Sequence, residues 1–506
     1  MPDLTDTVDH LVRLRSDRDP TSFAVIDPHT RITYREVDTA TMEMAAAFVE
    51  AGVGKGTRVG LIMPNSVLWV QIAVALTRIG AVLVPLSTLL APPELAAQLR
   101  TASVRVLISV PEFRGRRYLD DLEPHRATLP ALRKVWTAEE AVAAPVSARA
   151  ARLVDALADA VTPSDLFVIM FTSGSSGPPK GVMHSHGNAL AAVRSGLDAR
   201  CITPDTRLYL PMPFFWVGGF GSGVLSALLA GATLVTEEIP QPDTTLRLLE
   251  RERVTLFRGW PDQADALARK RHLIGADLSA LQPGSLEALL PPHDRSTPGA
   301  RATLFGMTEA FGPYCGYRAD TDMPRSAWGS CGRPFDGMQV RITDTEAADP
   351  VAAGVIGEIQ LRGPHVMRGI CRRSREEVFT ADGWYPTGDL GHLDDDGFLF
   401  YHGRSDDMFK VSGATVYPSE VEQALRTIDG VAGAFVTEVS GAVGAVVISR
   451  RPVDQLREGA RKRLSAFKIP TVWLLVDDDN AIPRKATGKV NIRALRNLLT
   501  SSREQT

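Results

Sequence analysis

The first part of the chain alternates between two patterns of hydrophobic and polar positions, one typical of helices and one typical of strands. Thr39–Ala51 and Val67–Ile79 have the spacing of helices, whereas Arg58–Met63 and Ala81–Pro85 are short apolar runs typical of strands. Strands that alternate with helices of about ten or more residues predict βαβ units around a largely parallel sheet. A second stretch of this kind runs through Ala300. The predicted fold class is therefore α/β.

The pattern changes in the last third of the chain. Short strands separated by Gly and Asp turns predict a β-rich subdomain at about residues 329–403. After it, Ser419 and Glu422 have the spacing of a helix capping box, and apolar residues follow on one helical face. We therefore predict a large N-terminal domain of residues 1–405 and a small α+β C-terminal domain of residues 406–506.

The composition is that of an ordinary globular protein. Of the 506 residues, 44% are hydrophobic and 23% are charged, and 56 basic against 59 acidic side chains give a net charge of −3. This balance disfavours a nucleic-acid-binding protein, which normally has a basic excess. The four cysteines have no disulfide or zinc spacing, the N-terminus does not resemble a signal peptide, and no apolar run is long enough to span a membrane. We expect a cytoplasmic protein with reduced thiols.

The segment with the most informative chemistry follows an apolar strand that ends at Phe171. It reads Thr172–Gly177 (TSGSSG), then Pro178, Pro179 and Lys180. Small hydroxyl residues and glycines let backbone N–H groups converge on an anion, and a lysine adds a positive charge suited to phosphate. The two prolines do not fit a Walker-type loop. For a lone segment of this kind, a flexible serine–glycine turn is the alternative interpretation.

The segment resembles the phosphate loop of the adenylate-forming superfamily, which contains acyl-CoA synthetases, firefly luciferase and nonribosomal adenylation domains. The resemblance covers nearly the whole chain, because the later motifs of that superfamily follow in the same order. They are Leu304–Glu309 (LFGMTE), Gly329–Pro334, Gly357–Gly369, Trp384–Leu390 (WYPTGDL), Gly403–Gly413 (GRSDDMFKVSG) and Pro483–Lys489 (PRKATGK). Such enzymes join a carboxylate to AMP and then pass the acyl group to a thiol, usually that of coenzyme A.

The resemblance implies a role for individual residues of these motifs. Thr308 would contact the α-phosphate, Glu309 would bind Mg²⁺, which prefers carboxylate and phosphate oxygens, and Lys489 would bridge the substrate carboxylate and the nucleotide. The implied nucleotide- and phosphate-binding residues are Thr172, Ser173, Gly174, Ser175, Ser176, Gly177, Lys180, Phe305, Gly306, Asp389 and Arg404. In this set Asp389 would accept hydrogen bonds from the ribose hydroxyls, as a carboxylate does well.

The resemblance also implies that the C-terminal domain is mobile. After adenylation it would rotate about a hinge at Asp406 and withdraw Lys489. The segment that contains Lys410, Ser412 and Gly413 would then line the tunnel for the pantetheine arm of coenzyme A. ATP or an acyl-AMP, Mg²⁺ and coenzyme A are therefore the expected cofactors.

Two departures from the superfamily pattern bear on the first half-reaction. Leu286 and Glu287 stand where the family has two glycines whose backbone packs against adenine. In the predicted acyl pocket, formed with Phe215 and Gly218, Trp216 replaces a frequent histidine. Side chains beside a planar base are a steric problem, and a carboxylate near polyphosphate costs about 1–4 kcal/mol at about 4 Å. We predict that adenylation is weakened.

The predicted function is an acyl-CoA ligase that makes a thioester from a hydrophobic carboxylic acid through an acyl-AMP. One alternative is a ligase that only thioesterifies a preformed adenylate, which a separate adenylating enzyme supplies. A pantetheinylated carrier protein in place of coenzyme A is also compatible with the sequence. An amino-acid-activating domain is disfavoured, because no aspartate for the substrate amine follows PFFWVGG. A degenerate nucleotide- or acyl-binding protein is the alternative from another class.

Overall fold

A computed structural model describes residues 7–143, 146–172, 180–405, 409–411, 414–464, 466–484 and 490–504. The chain divides into two compact units. The first is drawn from Met1–Val340, Leu361–Tyr385 and Gly397–Leu399, and the second from Arg341–Gln360, Pro386–Asp396 and Phe400–Thr506. The predicted boundary at Asp406 lies outside the described residues and stays a prediction.

The helices follow the predicted alternation with strands. They are α1 (Val8–Arg18), α2 (Tyr34–Glu50), α3 (Val67–Arg78), α4 (Pro92–Thr101), α5 (Tyr118–Leu122), α6 (Ala138–Val142), α7 (Ala148–Asp159), α8 (His186–Ser195), α9 (Val217–Gly219), α10 (Ser226–Ala230), α11 (Pro242–Arg251), α12 (Pro261–Ile274), α13 (Pro418–Arg426), α14 (Val453–Arg461) and α15 (Ile492–Glu504). A π-helical segment, Phe220–Leu225, joins α9 to α10. No helix among the described residues is both long and apolar enough to cross a lipid bilayer.

The strands are short, as their apolar runs predict. They are β1 (Phe23–Ile26), β2 (Arg31–Thr33), β3 (Arg58–Ile62), β4 (Val82–Pro85), β5 (Val106–Ser109), β6 (Lys134–Thr137), β7 (Leu166–Thr172), β8 (Lys180–Ser185), β9 (Arg207–Tyr209), β10 (Thr233–Val235), β11 (Leu256–Phe257), β12 (Phe305–Met307), β13 (Gly312–Gly316), β14 (Arg333–Pro334), β15 (Gln339–Thr343), β16 (Gly357–Arg362), β17 (Gly369–Ile370), β18 (Tyr385–Leu393), β19 (Leu399–Arg404), β20 (Phe409–Val411), β21 (Ala414–Val416), β22 (Val431–Val439), β23 (Ala442–Ser449) and β24 (Val472–Val476).

Two large sheets confirm the predicted α/β class. A seven-stranded sheet has the order β17-β8-β7-β4-β3-β5-β6, and a five-stranded sheet has the order β11-β9-β10-β1-β2. From β7 to β6 every neighbouring pair in the larger sheet is parallel. The strands β15, β16, β18 and β19 form a four-stranded sheet, and β22, β23 and β24 form a three-stranded sheet nearer the C-terminus. Buried aliphatic and aromatic side chains fill the space between sheets and helices.

The local signals at two helix starts differ from the predictions. Helix α2 begins at Tyr34, earlier than predicted, because Thr33 and Glu36 form a capping box just upstream of the Ala-rich stretch. The predicted capping box of Ser419 and Glu422 is wrong. Helix α13 begins at Pro418, which supplies no N–H to cap, and the carboxylate of Glu422 instead accepts a hydrogen bond of 2.9 Å from the backbone N–H of Val436. The four cysteines are free, as predicted.

Candidate active site

The predicted phosphate loop begins and ends on one antiparallel hairpin. Thr172 at the end of β7 pairs in register with Lys180 at the start of β8, and both are half-buried. This pairing places the Lys180 side chain at the base of the loop. Ser173, Gly174, Ser175, Ser176 and Gly177 lie outside the described residues. Among the described residues Lys180 has no ion-pair partner, so its ammonium group is available for an anion.

The second element of the site is the turn after β12. Gly306 permits the close pairing of β12 with β13, because a Cβ there would collide with the backbone of Gly312. A 3₁₀ turn then carries Thr308, which is half-buried, and Glu309, which is buried. The aromatic ring of Phe305 packs edge-on against Tyr314, with the ring centroids 5.6 Å apart.

A buried histidine links this turn to the hairpin. His184 on β8 approaches the carbonyl oxygen of Thr308 with Nε2 at 2.8 Å, and its Nδ1 lies 2.8 Å from Nδ2 of Asn188. Because Oδ1 of Asn188 already accepts from the N–H of Ser185, its Nδ2 must donate to His184. The proton of the neutral imidazole therefore sits on Nε2 and is donated to Thr308. Burial lowers the pKa of His184 to about 4, so the ring is neutral at neutral pH.

The surroundings of Glu309 fit a cation. The Tyr385 hydroxyl donates a long hydrogen bond of 3.3 Å to Oε1 of Glu309, and the backbone N–H of Met367 donates to the Glu309 carbonyl at 2.8 Å. In the part of the chain that the structure describes, Glu309 has no basic partner, and a buried carboxylate needs one. No group of three or more His, Cys, Asp or Glu among the described residues could hold a metal by itself. Glu309 would therefore suit an ion such as Mg²⁺, for which phosphate oxygens and water would supply the other ligands.

Two predicted ribose-binding residues meet within the second unit. Nη1 of Arg404 donates to Oδ1 of Asp389 at 3.1 Å and to the carbonyl of Thr387 at 2.8 Å. Asp389 is buried, and its backbone N–H donates to the Thr387 hydroxyl at 3.0 Å. Gly388 has a φ of 72°, and a Cβ there would lie 2.9 Å from the Arg404 guanidinium. The glycine therefore lets Arg404 lie against the chain and hold the Asp389 carboxylate.

Aromatic side chains gather at the predicted acyl pocket. Trp216 meets Phe215 and Trp260 in edge-on contacts, with ring centroids 5.5 and 6.1 Å apart. Phe215 is buried, whereas Trp216, Gly218 and Trp260 keep partial exposure. The packing gives Trp216 aromatic neighbours on two segments and leaves part of it accessible to a ligand.

The two residues that depart from the adenine-loop pattern have different surroundings. Leu286 packs against the hydrophobic cluster that contains Phe257, and its N–H donates to the Phe257 carbonyl at 3.1 Å. Glu287 begins a 3₁₀ turn, and its half-buried carboxylate accepts hydrogen bonds from the N–H and the hydroxyl of Ser296. The Leu286 side chain therefore packs against the core, and Glu287 is the one of the two residues that brings a charge to this segment.

Several predicted residues lie outside the described residues. They are Lys489, the hinge residue Asp406, and Ser412 and Gly413 of the predicted coenzyme A tunnel; for Lys410 the structure describes the backbone only, in β20. Their roles stay predictions. The sequence also missed His184, Asn188 and Tyr385, which hold the Thr308–Glu309 turn. His184 and Asn188 are four residues apart and flank the start of a helix, and this spacing is the sequence signal that could have identified both.

Comparison with known proteins shows the family of the chain. Residues 12–371 match the family described as AMP-binding enzyme. A 3-[(3aS,4S,7aS)-7a-methyl-1,5-dioxo-octahydro-1H-inden-4-yl]propanoyl:CoA ligase of Mycobacterium tuberculosis is 35% identical over 97% of this chain and 98% of its own. A 3-hydroxybenzoate–CoA ligase of Aromatoleum sp. is 30% identical over 95% of this chain and 94% of its own.

Solved structures share the fold. The anthranilate CoA ligase AuaEII in complex with anthranoyl-AMP superposes with a TM-score of 0.79 at 23% identity and covers 98% of both chains. An ATP-bound RpMatB-BxBclM chimera superposes with a TM-score of 0.78 at 26% identity and covers 98% of this chain and 99% of its own.

Proposed function

Because the chain belongs to the AMP-binding enzyme family and is an AMP-forming acid–thiol ligase, we propose that it converts a hydrophobic, ring-bearing carboxylic acid into its coenzyme A thioester. ATP and an acyl-AMP are part of this chemistry. The substrate carboxylate attacks the α-phosphorus and expels pyrophosphate. The thiol then attacks the acyl carbonyl and AMP leaves.

One observation supports this proposal above the others. The His184–Thr308 hydrogen bond of 2.8 Å joins the hairpin that holds Lys180 to the turn that holds Glu309. The first half-reaction brings two anions together, so its catalysis depends on positioning and on neutralising charge. A cation at Lys180 and a metal-binding carboxylate at Glu309, held in one compact unit, supply both requirements.

The remaining roles are part of the same proposal. Glu309 binds Mg²⁺, and Asp389 with Arg404 binds the ribose, because the buried acceptor and its guanidinium partner suit the two hydroxyls. Lys489 acts in adenylation, and the segment from Lys410 to Gly413 adjoins coenzyme A, through rotation about Asp406.

The acid that we propose carries a ring that packs against aromatic side chains. The half-buried Trp216 and Trp260 offer aromatic surface to such a group, and hydrophobic lining is typical of small-molecule pockets. Two relatives of this chain act on a dioxo-octahydroindenyl propanoate and on a hydroxybenzoate, both of which are cyclic acids. The proposed substrate class extends that common feature to this chain.

We also propose that the adenylation half-reaction of this chain is slow. The observation that favours it is the carboxylate of Glu287, a negative charge in the segment that the family pattern places against adenine. A ligase that works only on a preformed adenylate is the extreme form of this proposal. In that case a separate enzyme would supply the adenylate.

A paired assay tests the function. One arm supplies ATP, Mg²⁺ and a cyclic acid, the other supplies the matching preformed acyl-AMP, and both contain coenzyme A. We expect thioester in both arms, with faster formation from the adenylate. Thioester from the adenylate arm alone would identify the non-adenylating form. No thioester in either arm, with a pantetheinylated carrier protein also tried as acceptor, would contradict the proposal.

A further inference from the structure

The peptide group that leads into Asp389 is hydrogen-bonded through both its carbonyl and its N–H. The Gly388 carbonyl accepts two hydrogen bonds from Ser405, one of 2.8 Å from its backbone N–H and one of 3.0 Å from its hydroxyl. The N–H of Asp389, which belongs to the same peptide group, donates to the Thr387 hydroxyl at 3.0 Å. That hydroxyl donates in turn to the Ile359 carbonyl at 2.7 Å. These bonds hold the peptide group against rotation from both sides.

A carboxylate holds the preceding peptide group. Oε1 of Glu358 accepts a hydrogen bond of 3.1 Å from the Gly388 N–H, and its strand β16 is the neighbour of β18 in the four-stranded sheet. A carboxylate makes a stronger hydrogen bond than a neutral acceptor does. Glu358 and Ser405 are both half-buried and lie in the second unit together with Asp389. We call Glu358 and Ser405 the Gly388 clamp.

The turn at Gly388 depends on such contacts for its conformation. Gly388 has a φ of 72°, and a glycine backbone is restricted little by itself because it has no side chain. Arg404 contacts Oδ1 of Asp389 and the carbonyl of Thr387, and so aligns the carboxylate. The Gly388 clamp instead fixes the backbone to which that carboxylate is attached. The two sets of contacts therefore have different tasks.

We propose that Glu358 and Ser405 are positioning residues for the nucleotide, because they hold the Gly388 turn in the conformation that directs the Asp389 carboxylate at the two ribose hydroxyls. This inference rests on the proposed function, in which Asp389 binds the ribose, and adds two residues that act through the backbone. Binding of two adjacent hydroxyls by one carboxylate requires close alignment of that carboxylate. Loss of the clamp should therefore weaken the part of the affinity that the ribose hydroxyls supply and leave the rest unchanged.

Two nucleotides isolate this part of the affinity. AMP leaves in the thioester-forming step whether or not this chain made the adenylate, and 2′,3′-dideoxy-AMP lacks only the two ribose hydroxyls. Dissociation constants of both are measured by calorimetry on the full chain. We expect the native chain to bind AMP about tenfold or more tightly than the dideoxy compound, because the latter cannot donate to the buried Asp389 carboxylate.

Variants of the clamp should reduce this preference. In Ser405→Ala we expect AMP to bind about fivefold more weakly, with the dideoxy compound within about twofold of native, whereas Ser405→Thr keeps the hydroxyl and should keep the preference. Glu358→Gln retains an acceptor without the charge and should lower the preference less than Glu358→Ala. Ser501→Ala and Glu346→Gln, at exposed positions of the same unit, are the matched controls and should change neither dissociation constant.

The outcomes separate positioning from a purely structural role. Equal weakening of both nucleotides would indicate general distortion and would overturn the proposal, as would an undiminished preference in both Ser405→Ala and Glu358→Ala. A native chain without any preference for AMP would overturn it as well, together with the ribose role of Asp389. Thioester formation by the native chain in the paired assay, measured in parallel, distinguishes each of these results from failure of the ligase function.

Discussion

His184 and Thr308 lie 124 positions apart in the chain, yet Nε2 of the histidine meets the carbonyl oxygen of the threonine at 2.8 Å. Asn188 fixes the tautomer from the other side of the ring. The contact thereby connects the strand that follows the predicted phosphate loop with the turn that holds Glu309. A neutral, buried imidazole is well suited to this task because its donor does not depend on pH near neutrality.

We expect His184→Leu to slow adenylation more than thioesterification. The change leaves the Thr308 carbonyl and one Asn188 donor unpaired, which costs about 1–3 kcal/mol for each buried group. The loss of position at Thr308 should lower ATP–pyrophosphate exchange about tenfold or more, with a smaller effect on thioester formation from a preformed adenylate. His293→Leu, at an exposed histidine, is the control. Equal loss in both half-reactions would argue for a purely structural role.

Three buried histidines predict how stability depends on pH. Burial lowers the pKa values of His184, His186 and His365 from 6.5 to about 4. Between these values the unfolded chain binds more protons than the folded chain, so stability falls as the pH drops. Each histidine contributes at most about 1.4 kcal/mol per pH unit. Thermal melts at about pH 7 and about pH 5 should show the decrease, and His184→Leu should reduce its slope. An unchanged slope in that variant would contradict the assignment.

The sequence predicted the sheets better than it predicted the contacts between motifs. Helical spacing identified α3, and short apolar runs identified β3 and β4, nearly to their ends. The runs are continuous because both faces of these two strands are buried. The sequence missed the role of His184. That role depends on a hydrogen bond to the backbone carbonyl of Thr308, and the type of a residue does not show where its backbone carbonyl lies in the fold. It also did not predict that the half-buried Leu286 side chain packs against the Phe257 cluster, a contact that depends on tertiary structure. Residue identity indicated the chemistry, and long-range packing decided which groups meet.

Removal of the Asp389 charge should weaken ATP binding selectively. Asp389→Asn keeps the size of the side chain but breaks the ion pair with Arg404 and takes away one acceptor. We expect the KM for ATP to rise about tenfold while the KM for the acid stays within about twofold, in line with a charged hydrogen bond worth about 1.5–3 kcal/mol. Asp395→Asn, at an exposed position of the same segment, should leave both unchanged. An equal rise of both KM values would instead indicate general distortion.

Substitution of Glu309 should slow only the metal-dependent adenylation half-reaction. With Glu309→Gln we expect pyrophosphate formation to fall about a hundredfold or more, because the buried carboxylate that compensates the cation is lost. Thioester formation from a preformed adenylate should change little. Chelation of Mg²⁺ should reproduce this selectivity in the native chain, and Glu376→Gln, at an exposed position, should not. If the variant lost both half-reactions while its thermal stability stayed native, Glu309 would have a role beyond metal binding.

Variants of Glu287 test whether the proposed slow adenylation comes from charge or from shape. A carboxylate about 4 Å from a phosphate charge costs about 1–4 kcal/mol, depending on screening. Glu287→Gln removes that charge and preserves an acceptor for Ser296, so a rise of about fivefold or more in ATP–pyrophosphate exchange would assign the effect to electrostatics. Glu287→Gly also removes the side chain, and a further rise in that variant alone would assign the remainder to steric contact with the base. Leu286→Gly is the contrasting variant, because it takes a side chain out of the Phe257 cluster and should lower thermal stability without speeding exchange. Unchanged exchange in both Glu287 variants would show that adenylation is not limited at this segment.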